Sequence, residues 1–209
     1  MIPISSMNFP GCKTLAAFCA LLIPCEAQVK DKPVRFRKGL LFESKIENPK
    51  VFSAVEGGKK TLLVPAYEWE YGVRVFTKAS WSETGGEWNT YKANAVLIAD
   101  AIVDTLKPEW RKDQRGVINY AILQSEDPFL GSVILSKKLH KKFKNEFGEN
   151  IHVIIPERGT IYLFPAEGGK LDGYGPSIIK KFKESSQPVS IEVFLLTSTG
   201  YEIIGELEE

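Results

Sequence analysis

The sequence predicts an α+β domain with a mixed, mostly antiparallel sheet and about three helices packed on it. Two observations predict this fold class. Short apolar segments with strand-like composition follow one another across tight turns, as at residues 156–159 and 198–200. Three longer segments have the 3.6-residue apolar period of helices, and hairpins outnumber crossovers among the connections. This order favours antiparallel pairing, with the helices on one face of the sheet.

The segment 34–90 is predicted to be the β-rich part of the domain, because its apolar runs are short and end at turn residues. Strand or loop is expected at residues 34–42 and a strand at 61–64. A further strand at 67–71 is expected to continue past Gly72 through 73–76. The breaks are Asn48-Pro49, Gly57-Gly58 and Pro65, and Gly85-Gly86 lies in an open loop. The run at 67–71 alternates aromatic and acidic residues, which is typical of a half-buried strand.

The segment 91–209 is predicted to alternate helices and strands. Helices are expected at residues 91–107, 127–147 and about 176–185, and strands at 117–123, 151–155, 160–164, 190–197 and 201–207. The last four strands form two hairpins. The first helix ends at Pro108 and the second at Gly148, which are common positions for these residues just past a helix. Glycines at 168–175 predict a flexible loop before the third helix.

Residues 1–27 have the features of a cleavable export signal. Lys13 supplies the positive charge, and residues 15–23 form an unbroken apolar run that ends at a proline. The sequence Cys25-Glu26-Ala27 places small residues at the −3 and −1 positions of a cleavage site before Gln28. The prediction is therefore an exported protein, periplasmic or secreted, whose mature part, residues 28–209, is one α+β domain.

Other interpretations of this leader have weaker support. An uncleaved membrane anchor needs about 20 apolar residues, roughly twice the length of the run. A buried N-terminal helix is disfavoured by Pro24 and by the lack of apolar periodicity. A lipid anchor on Cys25 is disfavoured because Pro24, rather than a small residue, precedes the cysteine. All three cysteines, including Cys12 and Cys19, lie in the leader, so a cleaved chain has no thiol chemistry.

Composition and motifs exclude several classes of function. Apolar residues make up 44% of the chain and charged residues 25%, with a net charge of +1, as in an ordinary globular domain. This charge predicts no nucleic-acid partner, and the mature chain has no apolar run that predicts a permanent membrane span. His140 and His152 lack the spacing of metal ligands, so neither a metal nor another cofactor is expected.

Residues 129–165 resemble part of a bacterial family known as domain of unknown function 1444. The resemblance covers the segment Phe129-Leu130-Gly131-Ser132-Val133-Ile134-Leu135, a helix closed by glycine, the strand 151–155 followed by Pro156-Glu157-Arg158, and an apolar strand ending in Phe164-Pro165. It covers about a fifth of the chain. The resemblance implies an α+β fold and no catalytic residues. Members of the family look cytosolic, so the leader departs from the family pattern.

An aromatic cluster is the first candidate site. On one strand, Tyr67, Trp69 and Tyr71 share a face, and Glu68 and Glu70 share the other. Trp81 and Trp88 follow nearby in the sequence. Flat aromatic rings beside carboxylates suit sugar rings, which stack through C–H faces while their hydroxyls donate to the carboxylates. The alternative is that the aromatic face is simply the inner side of the sheet, where such residues are favoured.

The same carboxylates give a second interpretation, a hydrolase acting on glycan or peptide. Glycosidases use two carboxyl groups about 5–10 Å apart, one of them with a raised pKa. Glu68 and Glu70 are neighbours on one strand face, so their spacing approaches this arrangement. The sequence shows neither burial of these groups nor a third residue that would support them.

A basic surface is the third candidate. Lysines of the second helix and of the last helix contribute to it: Lys137, Lys138, Lys141, Lys142, Lys180 and Lys181. If both helices lie on one side of the sheet, the lysines form a surface suited to acidic glycan, lipid headgroups or an acidic partner. The alternative is the solvated face of an amphipathic helix. We therefore predict a non-catalytic binding or interaction module with a glycan or an envelope protein as partner.

Overall fold

The structure, a computed structural model, describes residues 36–169 and 171–208. The predicted export signal, the linker that follows it and Val34 lie outside the described residues. The chain from Phe36 onward forms one compact unit.

The described chain contains ten strands and four α-helices, and every strand pair is antiparallel. The strands are β1 (Lys38–Ser44), β2 (Ser53–Ala54), β3 (Thr61–Trp69), β4 (Gly72–Val75), β5 (Glu109–Lys112), β6 (Ile118–Gln124), β7 (Ile151–Glu157), β8 (Thr160–Pro165), β9 (Glu192–Leu196) and β10 (Tyr201–Glu206). The helices are α1 (Lys78–Thr84), α2 (Trp88–Thr105), α3 (Lys137–Phe147) and α4 (Leu171–Glu184). The α+β fold class is confirmed.

Strands β1 to β4 form a small sheet around β3, which corrects the prediction that Pro65 ends a strand. β3 runs through this residue and pairs with β1 on one edge. On its other edge β3 pairs first with β2 and then with β4, and Pro65 lies where the partner changes. Its carbonyl still accepts a hydrogen bond from the Phe76 amide at 3.1 Å. The missing N–H of proline therefore interrupts no continuous ladder.

A tight hairpin replaces the single strand that was predicted through residues 67–76. β3 ends at Trp69, which pairs with Gly72 at the start of β4, and Glu70 and Tyr71 form the turn. Gly72 has φ of +129°, a conformation that other residues rarely adopt. Helix α1 was not predicted. Thr77 caps it in a reciprocal hydrogen-bonded pair with Ser80.

Strands β5 to β10 form a six-stranded sheet in the order β10-β9-β7-β8-β6-β5. The two predicted hairpins, β7–β8 and β9–β10, are confirmed. The edge strand β5 was not predicted, because its four residues, Glu-Trp-Arg-Lys, carry a single apolar side chain.

Helices pack on both faces of this sheet, so the prediction of helices on one face is wrong. Alternate residues of β7 make the division clear, since Val153 belongs to the larger core and Ile154 to a separate smaller one. The larger core also contains buried residues of α2, α3 and β1. The smaller core contains Ile178 and Ile179 of α4. Helices α3 and α4 therefore lie on opposite faces.

Two helix boundaries differ from the prediction. The segment expected as one helix from 127 divides into a 3-10 helix, Leu130–Leu135, and α3, because the Ser136 side chain caps the α3 N-terminus. Helix α4 begins at Leu171 and includes glycines that were expected in a flexible loop. Gly175 is buried in α4, and a Cβ there would lie 3.9 Å from Leu207, so the helix packs closely on the chain after β10.

Candidate functional site

The structure divides the predicted aromatic site into two groups. The first, which we call the interior group, packs at the junction of the β3–β4 hairpin with α1 and α2, with Phe76 and Tyr91 buried and the other rings half-buried. Its ring centroids lie 4.9 Å apart for Tyr67 and Phe76, 5.3 Å for Phe76 and Trp81, and 5.7 Å for Trp81 and Trp88. Tyr91 joins this group and donates its hydroxyl to the Ala66 carbonyl at 2.5 Å. These rings hold the hairpin against the helices, so Tyr67, Trp81 and Trp88 have a packing role.

The second group lies at the end of the β3–β4 hairpin and contains Trp69, Tyr71 and Arg74. The Arg74 guanidinium lies over the Trp69 ring, 3.3 Å from its centroid. The Tyr71 ring meets Trp69 edge-on at 4.8 Å and is 74% exposed. Glu70 is exposed in the turn, and a hydrogen bond to it raises the pKa of Tyr71. We call these four residues the hairpin tip.

The two predicted carboxylates have different surroundings. Glu68 accepts a hydrogen bond from the Arg37 Nε at 2.9 Å, and the same guanidinium donates to Asp127 at 2.8 Å. The Arg37 hydrogen bond holds the pKa of Glu68 below its usual value. Glu70 lies in the turn instead of beside Glu68 on a strand face. The strand geometry assumed for a paired-carboxylate site is therefore absent, and Glu68 lacks the raised pKa of a catalytic acid.

The six predicted lysines do not form one surface, because α3 and α4 lie on opposite faces of the sheet. On α3, Lys138 forms an ion pair with Asp104 at 2.6 Å. Lys142 donates to the carbonyls of Val103 and Leu106 and so ties α3 to the end of α2.

The α4 lysines also have acidic neighbours. Lys181 reaches Glu157 at 2.7 Å, and Lys180 lies 3.8 Å from Glu184. Lys137 and Lys141 of α3 have neither an ion pair nor a side-chain hydrogen bond with any residue that the structure describes.

Two buried carboxylates escaped the sequence analysis. Glu43 of β1 is buried and accepts two hydrogen bonds from the Arg158 guanidinium, at 2.6 and 3.0 Å. Burial raises the pKa of Glu43, against the opposing effect of Arg158. Glu192 of β9 is also buried, and one of its oxygens accepts from the Lys59 and Lys60 amides at 2.7 and 3.1 Å. Both groups join the small sheet to the large one.

The histidines also lie apart. His140 is buried in α3, with its Nε2 2.9 Å from the Glu149 carbonyl. His152 lies on β7, facing the cleft beside α4, and burial lowers its pKa. Within residues 36–169 and 171–208, no group of three or more histidine, cysteine, aspartate or glutamate residues is placed to hold a metal ion.

No protein-family model, curated protein or solved structure matches the chain. None of the helices in the described ranges is long and apolar enough to cross a membrane.

Proposed function

We propose that the chain is an exported, non-catalytic binding module that recognises a glycan through the hairpin tip. The observation that carries this proposal is the exposure of Tyr71 beside a tryptophan that has a guanidinium stacked over its ring. An aromatic ring that is 74% exposed gains little from folding, whereas the other aromatic residues nearby are packed in the interior group.

The chemistry of the tip supports a sugar as ligand. The exposed Tyr71 ring, with Trp69 beside it, offers apolar surface to the C–H face of a sugar ring. The Glu70 carboxylate accepts hydrogen bonds from sugar hydroxyls, and the Arg74 guanidinium donates them. The cation–π contact contributes about 0.5–1 kcal/mol at an exposed site, so it favours the stacked orientation of the Trp69 ring.

The surroundings of the carboxylates favour binding over hydrolysis. Glu68 is held by Arg37, and its lowered pKa keeps it ionised at neutral pH. A general acid for glycoside cleavage needs the opposite shift. We therefore propose a binding module and not the hydrolase that was the alternative prediction.

A screen against mucin-type and cell-wall glycans tests this function. Wild-type protein is expected to bind at least one glycan, and Tyr71→Ala to bind it about tenfold more weakly, which corresponds to ~1.4 kcal/mol. Phe52→Ala is the matched control, because Phe52 is an aromatic residue that is 52% exposed and lies outside the tip. No binding by wild type, or equal binding by Tyr71→Ala, would remove the proposal.

A further inference from the structure

A second site, distinct from the hairpin tip, lies beside the turn that joins β9 to β10. A cavity of about 390 Å³ lies there, and its lining includes Glu56, Thr197, Thr199, Gly200 and Tyr201. A volume of this order is enough for a small organic ligand. We call this cavity the Tyr201 cleft.

Two lysines line the Tyr201 cleft. Lys92 comes from the first turns of α2, and Lys137 is the first residue of α3. Neither forms an ion pair or a side-chain hydrogen bond with another residue in the described ranges. They differ from Lys138, Lys142 and Lys181, which are all engaged in contacts within the protein.

The base of the cleft combines a polar group with an apolar surface. The ring of Tyr201 packs against Phe42 and Phe194, with centroids 5.8 and 6.4 Å away, which fixes its position. Its hydroxyl has no hydrogen-bond partner among the residues that the structure describes. Burial raises the pKa of Tyr201 to about 12, so the hydroxyl stays protonated and can donate. The half-buried Leu135 adds an apolar wall.

Side-chain hydrogen bonds connect the residues of the turn. The Thr197 hydroxyl accepts from the amides of Thr199 and Gly200, both at 3.3 Å, and donates to the Gly200 carbonyl at 3.2 Å. The Thr199 and Thr197 hydroxyls lie 3.0 Å apart. These bonds hold the turn residues that line the cleft in one arrangement.

We propose that the Tyr201 cleft binds a small organic anion, whose charged group is held by Lys92 and Lys137 and by the Tyr201 hydroxyl. The body of the ligand lies against Leu135. Glu56 also lines the cleft and accepts hydrogen bonds from hydroxyl or amide groups on the ligand. A phosphate ester and a carboxylate satisfy the same three donors, so the shared chemistry is an anionic oxygen group on a compact body.

Titrations of the purified protein with inorganic phosphate and, separately, with hexanoate test the site by ¹H–¹⁵N NMR. Saturable shifts of the Thr199, Gly200 and Tyr201 amides are expected with at least one anion. Saturation by phosphate alone assigns a phosphate group, and saturation by hexanoate alone assigns a carboxylate. No saturable shift with either anion overturns the proposal.

Substitutions show whether the binding belongs to the cleft. The double variant Lys92→Gln/Lys137→Gln is expected to raise Kd about tenfold or more. The matched control is Lys112→Gln/Lys141→Gln, which removes two exposed lysines that do not line the cleft. An equal rise in Kd for both double variants would show that the weaker binding comes from the change in net charge, and it would overturn the proposed site.

Two further variants separate this site from the other parts of the account. Tyr201→Phe removes only the hydroxyl and is expected to weaken anion binding several-fold with an unchanged spectrum elsewhere. Unchanged anion binding by Tyr201→Phe would contradict the assigned role of the hydroxyl. Tyr71→Ala is expected to leave anion binding unchanged, so failure of the glycan proposal and failure of this one are distinguishable.

Discussion

Removing the guanidinium that neutralises Glu43 is expected to destabilise the fold strongly. The Glu43 side chain is only 4% exposed and that of Arg158 25% exposed, and the pair joins β1 to the turn between β7 and β8. Unit charges about 4 Å apart attract by about 4 kcal/mol at an effective dielectric constant of ~20. Losing one partner of a buried pair costs about 3–5 kcal/mol, because the remaining charge is left unpaired.

The partial exposure of Arg158 places Arg158→Met near the lower end of this range, at about 3 kcal/mol. For a domain of this size, that corresponds to a fall in Tm of roughly 6–12 °C. Methionine keeps the aliphatic packing of the arginine stem, so the loss reports the charge. Urea unfolding of wild type and variant at pH 7.5 measures the difference in free energy.

The pH dependence of this loss separates charge from packing. Burial already raises the pKa of Glu43, and removal of Arg158 raises it further. In the variant, the ionised Glu43 carboxylate therefore destabilises the fold. This destabilisation disappears as the pH falls and the carboxyl becomes protonated. The difference in free energy of unfolding between wild type and Arg158→Met is therefore expected to shrink as the pH is lowered from 7.5 to 4.5. A loss below about 1 kcal/mol at pH 7.5, or the same loss at both pH values, would refute the reasoning.

Three further predictions test other parts of the account. Gly57→Ala is expected to lower the free energy of unfolding by about 1–3 kcal/mol, because Gly57 has φ of +73° and a Cβ there would lie 1.9 Å from the Ile203 carbonyl oxygen. An unchanged melting temperature would contradict this prediction. Burial raises the pKa of Glu192, but hydrogen bonds from Thr61 and from backbone amides outweigh this effect, and the pKa is lowered. The ionised Glu192 therefore stabilises the fold above its unfolded pKa of about 4.3, and this stabilisation is lost as the pH falls. Glu192→Gln should therefore flatten the acid limb of thermal stability, and an unchanged acid limb would argue against the assigned shift. N-terminal sequencing of the mature protein is expected to begin at Gln28, and an intact Met1 or Ile2 would remove the export proposal.

Hairpins and helix ends with local signals were predictable from the sequence. The β7–β8 hairpin follows from two apolar runs around residues 156–159, and α2 follows from its apolar period and from Pro108. Serine is a common N-cap, so Ser136 was a signal that the long helix expected from residue 127 divides there. The end of α3 at Gly148 agrees with the prediction.

Features that depend on distant contacts were not predictable. Pro65 usually marks a strand end, and only the change of partner from β2 to β4 explains why β3 continues. The Glu43–Arg158 pair joins residues 115 positions apart, so no local pattern reports it. The division of the aromatic cluster depends on the turn at Glu70 and Tyr71, which alternation alone could not reveal because both residues fit a strand pattern.

The most direct test of the central claim follows the indole N–H resonance of Trp69 by NMR during titration with a glycan that the screen identifies. Trp69→Phe assigns the resonance, and the indoles of Trp81 and Trp88 serve as internal controls because both pack against the larger core. We expect the Trp69 indole resonance to shift and to saturate with the ligand, while the indole resonances of Trp81 and Trp88 do not shift. An unmoved Trp69 indole during saturating glycan binding would contradict recognition through the hairpin tip.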